Sequence, residues 1–125
     1  MSFEVLEPGM LALVQDAGRH GYQHMGVTTG GPMDEFAFFW ANRLLGNDLD
    51  APQIEITFGR FSLKANHEAC IAITGGDLGA RINDQAIAPW RTHHINKGDR
   101  LDFTTPVSGL RAYLAVSGGF KPAMK

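Results

Sequence analysis

Apolar and polar residues alternate over short runs along most of the chain. In Gln53-Ile54-Glu55-Ile56-Thr57-Phe58 the two isoleucines and Phe58 fall on one face, the spacing of a half-buried strand. The same period predicts strands over 3–6, 11–15, 61–65, 69–74, 79–82, 93–95, 101–104 and 110–116. Pro8-Gly9, Gly59-Arg60, Asn83-Asp84, Lys97-Gly98 and Ser108-Gly109 separate them as turns. One segment changes period. Met33, Phe36, Ala37, Trp40, Ala41 and Leu44 recur at helical spacing and predict a helix over about 33–45 with that set as its main apolar stripe. Pro32 suits the first helical position, Asp34 and Glu35 face the positive end of the dipole, and Gly46 suits a left-handed exit. Phe38, Phe39 and Leu45 lie off the stripe, so the helix is expected to bury a second face, against its own chain or a partner.

Composition narrows the class. With 125 residues, 44% hydrophobic and 19% charged, the chain suits one soluble domain, 1–125, with a real core. A net charge of −2 lacks the cation excess that a phosphate backbone demands, which argues against nucleic acid. No apolar run is long enough for a membrane span, and Met1-Ser2-Phe3-Glu4 does not open a secretory signal, so a cytoplasmic protein is expected. The single cysteine, Cys70, rules out an internal disulfide and, between Ala69 and Ile71, reads as a small core residue. Gly21 argues against a helix joining His20 and His24, while adjacent His93 and His94 point to opposite faces of a strand, so no metal site is expected.

Three segments could carry chemistry. Gln15-Asp16-Ala17-Gly18-Arg19 leaves a predicted strand, and Arg19 could offer its planar fork to a carboxylate or phosphate, or simply pair with Asp16 to hold the loop. The loop through Gly30-Gly31 into Asp34 feeds a helix N-terminus, where backbone N–H groups can face an anion, or its glycines only turn the chain. It is neither a Gly-Lys-Ser/Thr loop nor Gly-x-Gly-x-x-Gly. Thr74-Gly75-Gly76-Asp77 ends an apolar strand, as a ligand approach or a plain turn. Asn42 and Arg43 on the helix and Glu55 in a strand are polar among apolar neighbours, hence network members or site residues.

Taken in order, Val14-Gln15-Asp16-x-Gly18-Arg19-x-Gly21, Gly30-Gly31-x-Met33-Asp34, Ala41-Asn42-Arg43-Leu44-x-Gly46-Asn47, Glu55-Ile56-Thr57-x-Gly59, Thr74-Gly75-x-Asp77 and Gly109-x-Arg111-Ala112-Tyr113-Leu114-Ala115-Val116-x-Gly118-Gly119 resemble the carboxyltransferase-domain, subdomain A and B, family, also labelled allophanate hydrolase subunit 2. The resemblance implies a cyclophilin-like β-barrel docked beside a second subunit or domain of related fold. It implies a part in an ATP-dependent 5-oxoprolinase, which converts 5-oxoproline, ATP and water to glutamate, ADP and phosphate. It also admits a biotin-dependent carboxyltransferase acting on urea or a similar amide, or a non-catalytic regulatory partner of a kinase-inhibitor-like subunit. ATP would be shared with partner subunits and biotin carried by a partner domain.

On this reading Asp16, Arg19 and Asp77 are the catalytic candidates, with Arg19 neutralising a carboxylate and an aspartate orienting a proton-carrying group. Gln15, Gly30, Gly31, Asp34, Asn42, Glu55, Thr74 and Gly75 would line the cleft for a small amide or lactam. Family members run well beyond this length, so the chain reads as an N-terminal portion of an incomplete barrel. Inactivity in isolation and self-association are the corresponding expectations.

Overall fold

A computed structural model describes residues 3–9, 11–15 and 33–120. They form ten strands and one helix: β1 (Phe3–Pro8), β2 (Leu11–Gln15), α1 (Glu35–Leu45), β3 (Gln53–Thr57), β4 (Phe61–Ala65), β5 (Ala69–Asp77), β6 (Ala80–Ile82), β7 (Gln85–Ala86), β8 (Arg91–Ile95), β9 (Arg100–Phe103) and β10 (Ser108–Val116). The mainly β expectation with one principal helix holds. Period-two alternation located every strand except β7, whose two residues are too few to alternate.

The strands make two antiparallel sheets, ordered β1-β4-β9-β6-β7 and β2-β3-β10-β5-β8. Their inner faces meet in one core: Phe61, Leu63, Leu101 and Phe103 from the first sheet against Ile54, Ile56, Ile71, Ile73 and Leu114 from the second. Each such side chain removed from water stabilises the fold by roughly 1.5–3 kcal/mol before entropy is counted. The second sheet is covered on its other face too, because α1 packs across β5 and β10. That is why β3 is buried at all five positions and the last five residues of β10 are buried without a break.

The helix buries only part of its predicted stripe. Ala37 and Ala41 of that stripe are buried, with Phe38 from the expected second face and Asn42 beside them, whereas Met33, Phe36 and Trp40 of the stripe are exposed, Phe36 at 66%. The sheet beneath presents Ala72 and Ala115, so Ala41 sits close against them while Phe38 meets Tyr113 edge-on at 6.2 Å. Small residues let the helix come close at Ala41, and the Tyr113 ring takes Phe38, so this side packs while Phe36 and Trp40 are left outside. The helix also starts later than predicted: Asp34 is its N-cap, with extended backbone and a side chain accepting the Ala37 N–H at 3.0 Å, and Gly46 ends it at φ +71° as expected.

Two further expectations fail. Phe58 does not share a face with Ile54 and Ile56: its φ is +69°, it turns out of the strand, and it is exposed. Cys70 is exposed rather than buried, because it lies on the helix-facing side of β5 at the strand end that α1 does not cover.

At the other end of β5 the ladder with β10 slips: Asp77 pairs Ser108 and Gly75 pairs Ala112, so three residues of β10 bulge against one. Gly75 is required there. Its φ is +91°, and a Cβ would lie 2.6 Å from the Arg111 carbonyl oxygen.

Candidate functional site

The covered face of the second sheet carries polar side chains in a row. In the ladder Glu55 lies opposite Tyr113, and Tyr113 opposite Thr74. Alternation forces this: with Ile54, Ile56, Leu114 and Ile73 committed to the core, their neighbours must face the helix. Glu55 is 3% exposed and Tyr113 and Thr74 are fully buried. Such groups need partners, and the N-terminal half of α1 supplies them.

The Tyr113 hydroxyl donates to Glu55 Oε2 in a short hydrogen bond and accepts the Asp34 N–H at 2.9 Å. Glu55 Oε2 also accepts the Met33 N–H at 3.0 Å. A carboxylate is thus held against the positive end of the helix, where the dipole favours it. Thr74 Oγ1 donates to the Ala37 carbonyl and Gln53 Nε2 to the Phe38 carbonyl, both at 2.6 Å. Burial first, and then the bond to Glu55, raise the Tyr113 hydroxyl well above the ordinary tyrosine range, so it stays protonated and donating. Two buried oxygens on this face, Gln53 Oε1 and Thr57 Oγ1, have no hydrogen-bond partner among the described residues.

At the other end of the helix Asn42 closes a second network. Its amide donates to the Leu49 and Ala51 carbonyls at 3.2 and 3.0 Å and accepts from Asn47 Nδ2 at 3.2 Å. Asn47 in turn donates to the Val116 carbonyl at 2.9 Å and accepts the Gly118 N–H at 2.9 Å. These bonds tie the exit of α1 to the end of β10.

The predicted site residues therefore separate. Asp34 and Glu55 come together through Tyr113, and Thr74 joins them in the same row. Asn42 serves the helix exit. Gly75 is a close-approach position whose carbonyl accepts Trp90 Nε1 at 2.9 Å. Asp77 lies beyond the bulge and accepts the Gly79 N–H at 2.9 Å, which shapes the turn into β6. Gln15 pairs Gln53 in the ladder. Asp16, Arg19, Gly30 and Gly31 lie outside the described residues. Tyr113, Gln53 and Asn47 join these networks without having been singled out from the sequence, although a tyrosine inside Ala112-Tyr113-Leu114-Ala115-Val116 was a signal that one hydroxyl needs a buried partner. Among the described residues no three His, Cys, Asp or Glu are placed to hold a metal, and no helix is long and apolar enough to cross a membrane.

What the row does is mechanical: the Glu55–Tyr113 pair accepts the N–H groups of Met33 and Asp34 and so fixes the start of α1 against the sheet.

Two antiparallel sheets sharing one core, with a helix anchored by a buried Glu–Tyr pair, define the class, and the sequence matches the family "Carboxyltransferase domain, subdomain A and B" over residues 25–124. The chain belongs to that family. It is 42% identical over 94% of its length to a urea amidolyase of Lachancea kluyveri, of which it spans 6%, and 39% identical over 93% to a 5-oxoprolinase subunit of Escherichia coli K12, of which it spans 37%. Among solved structures, the urea carboxylase of Kluyveromyces lactis superposes with a TM-score of 0.89 at 41% identity, covering 94% of this chain and 10% of that one. The protein TTHA0988 superposes at 0.90 with 33% identity, covering 97% of this chain and 46% of that one. The chain thus spans well under two thirds of the relatives it resembles.

Proposed function

We propose that this chain contributes to an enzyme that activates a small amide or lactam at the expense of ATP, as part of a 5-oxoprolinase complex. The observation that carries the reading is 39% identity to a separate 5-oxoprolinase subunit, running through nearly the whole of this chain. The chemistry needs a group to neutralise the substrate carboxylate and a fixed cleft wall. Arg19 is assigned the first role, and the start of α1, where the Glu55–Tyr113 pair holds the Met33 and Asp34 N–H groups, the second. ATP is assigned to partner subunits, since this sequence has no Gly-Lys-Ser or Gly-Lys-Thr loop. Asp16 and Asp77 are kept as proton-handling candidates, with Asp77 engaged at one oxygen by the Gly79 N–H.

A second reading is carboxyl transfer to urea from biotin on a partner domain, favoured by the 42% identity to urea amidolyase. The described polar row does not fit direct contact with either group. Glu55, Tyr113, Thr74 and Gln53 are buried and bonded to the helix segment, so no step is routed through them.

Phosphate release measured on 5-oxoproline and on urea, with the chain combined with the subunits encoded beside it, separates the readings. ATP turnover dependent on 5-oxoproline supports the first, dependence on urea together with a biotinylated partner supports the second, and neither dependence overturns both. In the active assembly Arg19→Lys is expected to lose at least ~1.5 kcal/mol of transition-state stabilisation, because a point charge replaces a bidentate fork.

A further inference from the structure

The face of the first sheet turned away from the core is also polar and concave. One cross-strand row runs Glu7, Ser62, Asp102, Arg81 over β1, β4, β9 and β6. It floors a groove of about 670 Å³ that Arg60, Arg100 and Thr104 also line.

The floor is fixed. Ser62, only 3% exposed, donates to Asp102 Oδ1 in a short hydrogen bond, and Arg100 Nε donates to the same oxygen at 2.8 Å. Asp102 is committed to Arg100, whose charged form is favoured first by the hydrogen bond it donates to Asp102 and then by the fields of Asp102, Asp84 and Glu7. The other two arginines differ. Arg81 spends one N–H on the Asp84 carbonyl at 3.2 Å, and among the described residues neither Arg81 nor Arg60 forms an ion pair. Each guanidinium offers five N–H donors in a planar fork, so most of this donor set is unused.

Arg60 is also held in an unusual conformation. Its φ is +59°, beside Gly59 at +90°, with its N–H bonded to the Thr104 carbonyl at 2.9 Å. A non-glycine residue there costs on the order of 1 kcal/mol and persists only where the surroundings fix it.

We propose that this groove is a binding site for a small oxyanion, a carboxylate or phosphate group held by the forks of Arg60 and Arg81 over the Ser62–Asp102–Arg100 floor. It is separate from the helix-covered face and does not depend on the reaction assigned above. Charged, planar forks matched to two oxygens bind such groups more strongly than neutral donors do.

The test is a titration of the full chain, at constant ionic strength, with inorganic phosphate in one arm and malonate in the other, followed by backbone amide NMR. Saturable shifts clustered at Ser62, Arg81, Asp102 and Thr104 are expected, and the arm that saturates at lower concentration identifies the group. Arg60→Gln with Arg81→Gln should weaken binding about tenfold or more, while Lys64→Gln, on the same sheet but outside the lining, leaves it unchanged. Absence of saturation in both arms, shifts scattered away from the groove, or a double variant that folds and binds like the parent would each overturn the site. Should the double variant not fold, the shift map of the unmodified chain decides alone.

Discussion

Replacing Tyr113 by Phe removes one oxygen and leaves the ring in place, so no cavity opens against Phe38 and the effect isolates the anchor. Two groups lose a partner. Buried Glu55 keeps the Met33 N–H but gives up its hydroxyl donor, and the Asp34 N–H loses its acceptor. Removing the partner of a buried group costs about 1–3 kcal/mol, with hydrogen bonds to a charge at the upper end. Asp34 itself is exposed, so its N–H recovers part of its loss from water. The expected destabilisation is therefore about 2–3 kcal/mol, a large share of the roughly 5–15 kcal/mol by which domains are stable.

Urea unfolding followed by circular dichroism measures it, as a lower midpoint at unchanged slope. The pH dependence supplies an independent check. The folded state raises the Tyr113 hydroxyl above its ordinary value of 10.0, so the unfolded chain releases that proton first. The associated stability is fully present below about pH 10 and falls as pH rises beyond it, by at most ~1.4 kcal/mol per unit, and Tyr113→Phe should remove this component. A loss under ~0.5 kcal/mol, together with an unchanged alkaline limb, would refute the claim that the pair anchors the helix.

The remaining predictions use the same assays. Phe38→Ala should cost about 3–5 kcal/mol, while Phe36→Ala stays within ~0.5 kcal/mol, and reversed magnitudes would restore the aromatic stripe as the buried face. Gly75→Ala should cost more than ~2 kcal/mol, since it combines a positive φ with a Cβ 2.6 Å from a backbone oxygen; a neutral result would deny the close approach to β10. Exposed Phe36, Phe39 and Trp40, with Leu49, border a groove of about 250 Å³ on the outer side of α1. Self-association through that face should appear in sedimentation at high micromolar concentration and weaken in Phe36→Ala with Trp40→Ala, whereas one monomeric species throughout would refute it.

Local structure was legible in the residues alone. Alternation located β3, β4, β9 and β10 because side chains on a pleated strand must point to opposite faces, and Gly46 marked the helix end because few other residues take a left-handed exit cheaply. Six ordered motifs were enough to indicate the family.

What covers each face emerged only from the packing of helix on sheet and sheet on sheet. Period alone divides α1 into sides without saying which meets the sheet; Tyr113 beneath Ala37 and Phe38, and Ala72 and Ala115 beneath Ala41, decide it. Cys70 and Thr74 share one side of β5, yet one is exposed and the other buried, because the helix spans only part of the strand. Glu55 was legible as a polar residue needing a partner, but that partner is 58 residues away, and Met33 approaches it from the opposite direction in sequence. Hydrogen bonding acts over about 3 Å whatever the separation along the chain, so a buried donor and its acceptor can be paired only once the sheets have brought them together.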